Sequence, residues 1–187
     1  MNIFILDEDQ EKAAKYLCDK HIISHILEST QMLSTAHWLL LLKDKGKSLD
    51  DFKRVSDIQK WLYENTRRIK QPPYKFTHHR HPCTIWTANT LENYQWHLKL
   101  FKFLCKEYTI RYKRIHKSSY HLSWFYKNNP VNLQSSQLEK FPICMGDEYK
   151  ISDDPVECYR NYYVKAKSRF AKWKYTEVPK WYEEKIN

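Results

Sequence analysis

The chain has 187 residues, enough to bury a core of its own, and 32 Lys and Arg against 22 Asp and Glu give a net charge of +10. With only Gly46 and Gly146 available, no glycine-rich phosphate loop can be written, so no nucleotide cofactor held by backbone amides is expected. No apolar run reaches membrane-spanning length, and five cysteines without a C-x-x-C pair or a leader fit a reduced, intracellular protein of the cytoplasm.

In chain order, Asn2 to Leu6 (Asn-Ile-Phe-Ile-Leu) reads as one short β-strand at the N-terminus. The acidic cluster Asp7 to Asp9 suits a helix start, and Asp19 suits the cap of a second helix running from Lys20 to about Lys43. Ser48 to Asp51 resembles a capping box, and helical spacing from Leu49 to Arg67 ends at Pro72-Pro73. A loop dense in histidine and cation, Tyr74 to Cys83, precedes the strongest helical pattern, from about Thr84 to His116, with Trp86, Asn93, Trp96, Leu100, Phe103 and Leu104 as its core stripe. Ser118 to Lys127 reads as a further turn or two of helix, and Asn128 to Pro142 as loop. Asp154-Pro155 opens a helix to about Trp173, followed by the tail Val178 to Tyr182. The pattern predicts a mostly α fold: a single compact helical bundle over 1–187 with one short N-terminal β-strand, and a basic, aromatic C-terminal helix and tail over 154–187.

Excess positive charge attracts polyanions, and interleaved aromatics (14 Tyr, 7 Trp, 8 Phe) offer surfaces for bases, so nucleic acid is the favoured partner. Two basic-aromatic faces support this, one around Arg111 and Arg114, the other around Arg160 and Lys165. His78, His79, Arg80 and His81 form a candidate phosphate-contacting loop.

The most unusual stretch is Cys18 to Glu28. His21, His25 and Glu28 fall at i, i+4 and i+7 on one helix face, where an apolar helix would place leucines. Burying such groups costs free energy unless they are paired or used. Three readings stay open on these residues alone: hydrogen-bonded helix residues, a zinc or iron site completed by His78, His79 or His81, or acid/base work by Glu28 with the histidines orienting it or contacting phosphate.

The order of features resembles the phage pyrimidine-dimer DNA glycosylase family, called phage endonuclease V. The matching features are the N-terminal strand, the Asp19-Lys20-His21 element, Glu28 seven residues after the histidine, a second long helix, and the closing Pro179-Lys180-Trp181-Tyr182. The resemblance implies a compact helical protein that binds double-stranded DNA, flips a nucleotide and cuts the glycosidic bond without metal. It implies an N-terminal α-amine (here Met1) as nucleophile, with Lys20 the fallback, and Glu28 and His21 as the other catalytic residues. His25 would then join the DNA-contacting set. The arginines that flank the family's glutamate are absent, since Leu27 and Gln31 stand there, and Asn2 in place of a small residue implies a retained Met1. A base-modifying transferase on the same scaffold and a non-enzymatic DNA-binding protein are the alternatives.

Overall fold

The computed structural model describes residues 2–186, and the regular structure of these residues is helical throughout. Helix α1, Gln10–Tyr16, starts where the Asp9 carboxylate accepts the Lys12 N–H at 2.9 Å. Helix α2 spans Asp19–Asp44, close to the predicted limits. It ends in a Schellman motif: Gly46 (φ +68°) donates its N–H to the Lys43 carbonyl at 3.0 Å, and Lys47 donates to Leu42 at 2.9 Å. A 3₁₀ turn at Leu49–Asp51, where Asp51 accepts the Ser48 N–H at 2.9 Å, precedes α3, Val55–Asn65.

The long helix expected from Thr84 to His116 is two helices, α4 (Pro82–Asn89) and α5 (Leu91–Tyr112). Thr90 separates them because its hydroxyl accepts the Asn93 N–H at 3.1 Å, capping α5 from an extended backbone (φ −130°, ψ 157°). A 3₁₀ turn, Lys117–His121, leads into α6, Leu122–Lys127. Helix α7 is Pro155–Tyr162, capped by Asp154, and it does not run to Trp173: it passes into a π-helical turn, Tyr163–Lys167. The expected tail carries α8, Lys180–Ile186, with Trp181 and Tyr182 buried. None of these helices is long and apolar enough to cross a membrane. The fold is therefore all-α among the described residues.

The expected strand Asn2–Leu6 does not pair in a sheet. In place of a ladder, the Asn2 N–H donates to Glu28, the Leu6 carbonyl accepts from Arg160 at 2.9 Å, and the Leu6 N–H donates to the Phe4 carbonyl at 3.1 Å.

The chain forms two compact units. One comprises the chain up to Glu28, Lys99–Tyr120 and the chain from Lys140; the other comprises Ser29–Leu98 and His121–Glu139. In the second unit, Trp38, Leu41, Leu42, Ile58, Leu62 and Phe76 make a buried cluster. Its loop ahead of residue 140 is held by Glu139, which donates its N–H to Asn93 at 2.9 Å and accepts from the Asn93 amide at 2.7 Å. In the first unit the organising polar group is Arg111. Its buried guanidinium donates to the carbonyls of Leu17 and Lys15, both at 2.8 Å, and to Asp19 at 3.1 Å and Glu107 at 2.7 Å. It locks the α1–α2 junction onto α5.

This overturns the expectation that Arg111 contacts DNA: every one of those donors faces inward. Removing the cation while its carboxylates stay buried should cost about 3–5 kcal/mol. Arg111→Ala is thus expected to move the urea midpoint sharply down with the slope preserved. A midpoint within error of the parent would contradict the assignment.

Candidate active site

The site belongs to the first unit and is built where the buried N-terminal segment crosses the first turns of α2. The i, i+4, i+7 spacing sets His21, His25 and Glu28 along one side of α2, as predicted. His21 and His25 are buried and their rings lie 4.9 Å apart. Phe4 fills the space over both, with ring centroids 4.9 Å from His21 and 5.1 Å from His25, and it stacks on Tyr162 at 6.0 Å and 5°.

Asn2 is fixed by its side chain: it donates to the Cys144 carbonyl at 2.7 Å, and its amide oxygen lies 3.0 Å from the Tyr159 hydroxyl. So anchored, its backbone N–H points at Glu28, 3.3 Å from Oε2. A carboxylate at the Asn2 amide is the central geometric fact of the site.

Both imidazoles are tied into hydrogen bonds through Nδ1. The Tyr163 hydroxyl accepts the Cys18 N–H at 2.9 Å and pairs with His21 Nδ1 at 2.8 Å. His25 Nδ1 lies 3.1 Å from Ser24 Oγ, and its Nε2 is buried and without a hydrogen-bond partner among the described residues.

Both are held neutral at pH 7. Burial lowers the His21 pKa to about 4, aided by the nearby cations Lys167 and Lys20, and burial with the adjacent His21 takes His25 well below its ordinary value. The π-helical turn brings Lys167 there, its ammonium 2.9 Å from the Tyr162 hydroxyl and 4.4 Å above that ring. Such insertions recur at functional sites because they re-aim the residues that follow. Lys20 and Arg169 both lie over Phe170, whose ring is 5.4 Å from His21.

The remaining predicted residues are dispersed. His78, His79, Arg80 and His81 belong to the second unit. There His78 is exposed in a left-handed conformation (φ 50°), His79 is buried and stacked on Phe76, and Arg80 is exposed. His81 caps α4 by accepting the Cys83 N–H at 3.2 Å. His79 is therefore withdrawn from the phosphate-contacting role by stacking. Arg114 and Lys165 are exposed. Arg160 is half-buried, bonded to Leu6 and Asp7 and lying 5.2 Å from the Trp181 ring, so it clamps the N-terminal segment. Met1 lies outside the described residues. Asn2, Phe4, Tyr159, Tyr163 and Lys167 were not among the expected site residues. The one visible signal was the i, i+4 spacing of Tyr159 and Tyr163 beside Tyr162, which reads equally as a basic-aromatic surface.

Compared with known proteins, the chain matches no protein family, no curated protein and no solved structure.

The neutral histidines make stability depend on pH with a definite sign. His37 and His97, buried in the second unit, are also lowered, each to about 3. In the unfolded chain these groups protonate near pH 6.5, so between pH 6.5 and 4 the unfolded state binds more protons and stability falls as pH falls, on the order of 1 kcal/mol per pH unit for each histidine. Urea midpoints should drop steeply from pH 7 to pH 5. Equal midpoints at the two values would contradict the buried neutral assignment.

Proposed function

We propose that the protein is a DNA glycosylase and abasic-site lyase that uses Glu28 as acid and base and the N-terminal amine, Met1, as nucleophile. The observation that carries this reading is the 3.3 Å approach of the Asn2 N–H to the Glu28 carboxylate, which brings the start of the chain to the one carboxylate of the stripe. A neutral amine, and not an ammonium, is the attacking form in this chemistry.

The chemistry follows from these groups. The amine attacks C1′ of a flipped nucleotide, and the bond from C1′ to the base breaks, its electron pair leaving with the base, which takes up a proton. The amine nitrogen passes its proton to Glu28. Glu28 returns a proton to O4′ as the sugar ring opens, leaving an imine between the nitrogen and C1′. Glu28 then removes a C2′ proton, and the C3′–O bond breaks with release of the phosphate. Water hydrolyses the imine and frees the amine. His21 stands beside Glu28 on the same helix side as a neutral imidazole, while Lys20, Lys167 and Arg169 offer positive charge to the flanking phosphates. The net charge of +10 supports DNA as the polyanion.

A duplex carrying a single abasic site tests the lyase half without knowledge of the damaged or modified base that is excised. The protein should nick it, Glu28→Gln should slow nicking by about two orders of magnitude or more, and a peptide tag fused ahead of Met1 should abolish it while the urea midpoint is preserved. Nicking that survives both changes, or none by the parent protein, would refute the reading.

A further inference from the structure

The second unit contains a hollow of about 530 Å³ against α3. That size falls within the range of about 300–1,000 Å³ typical of small-molecule sites. Its inner wall is apolar and drawn from the unit's core: Trp38, Leu62 and Phe76, all buried. Its mouth carries Lys60, Tyr63 and Lys75, all exposed, with Tyr63 at 60% exposure. Two carboxamides on the lining are held in place, Gln59 by donating to the Phe76 carbonyl at 2.8 Å and Gln71 by donating to the Thr66 hydroxyl at 3.3 Å. Trp38 is fixed by its own bond to the Tyr74 carbonyl at 2.8 Å. No carboxylate is among the lining residues, and one face of the Tyr63 ring carries the Arg67 guanidinium at 4.6 Å.

We propose that this hollow is a nucleotide site: a base enters against Tyr63 and the apolar wall, and its phosphate is met by Lys60 and Lys75. The combination selects the ligand class. An apolar molecule would make no use of the two lysines, and a simple anion would make no use of an aromatic wall with anchored amides able to hydrogen-bond a base edge. An aromatic ring bearing a negative charge uses both. The shared chemistry, a base with its phosphate, is available from a single-stranded segment of nucleic acid or from a free nucleotide. The site is made of residues from the second unit only, and the proposal stands apart from the reaction assigned to Glu28.

Photocrosslinking tests it. The full chain is irradiated with a thymine-rich oligonucleotide carrying 5-iodouracil, and separately with 5-iodo-deoxyuridine monophosphate, and the adducts are mapped by peptide mass spectrometry. Adducts at Tyr63 or Trp38 are expected, with the yield at Trp38 reduced about tenfold in Tyr63→Ala and the yield at either residue falling in a Lys60→Glu/Lys75→Glu double variant that keeps the parent's far-UV circular dichroism. Glu28→Gln should crosslink as the parent does, so failure of the excision reading leaves this result standing. Adducts from the oligonucleotide alone assign the site to a strand, and adducts from both probes extend it to free nucleotide. Absence of any adduct at these two residues, or yields unchanged in the double variant, overturns the proposal.

Discussion

The side chains of Ile3, Phe4, Ile5 and Leu6 are almost wholly withdrawn from water, at 3, 6, 1 and 0% exposure, and no sheet holds them there. Burial of each contributes about 2 kcal/mol, and that contribution replaces the ladder an isolated extended segment lacks. Arg160 on the Leu6 carbonyl and Tyr159 at the Asn2 amide fix its direction along the chain. The consequence is that Asn2 cannot drift: its backbone N–H is delivered to Glu28. Loosening the segment would separate the amide from the carboxylate before it unfolded any helix.

The same burial sets the electrostatics around Glu28. Phe4 packs over His21 and His25, and their burial keeps both imidazoles neutral. Positive charge is kept at the margin of the site, on Lys20 and Lys167, each lying against an aromatic ring. Arg111, the most buried cation of the unit, is fully engaged with Asp19, Glu107 and two carbonyls, and so contributes architecture in place of surface potential. A net charge of +10 therefore overstates what is available to a polyanion.

Much of the fold was legible because local chemistry decides it. Asp9 and Asp154 cap helix starts as expected, whereas Asp19 is the first residue of α2 and gives its carboxylate to Arg111 and the Lys174 N–H instead of capping; Gly46 supplies the left-handed residue at the end of α2. The break at Thr90 was not legible, since a single hydroxyl capping a new helix leaves the hydrophobic period almost undisturbed. The stripe His21, His25, Glu28 was visible from its spacing. Its partners were not, because Asn2, Phe4, Tyr163 and Lys167 reach it through tertiary packing and a π-helical turn that no local pattern announces. Arg111 misled for a related reason: a basic-aromatic helix face reads as a nucleic-acid surface whether its guanidiniums point outward or clamp neighbouring backbone.

The most direct measurement is borohydride trapping on an abasic-site duplex, with the linked residue located by peptide mass spectrometry. An imine between the chain and the sugar would be reduced to a stable adduct, and the amine attack described here places it on the N-terminal peptide, with its formation strongly slowed in Glu28→Gln. A covalent adduct mapped to Lys20 or Lys167 instead, or no trapped species at all, would contradict it.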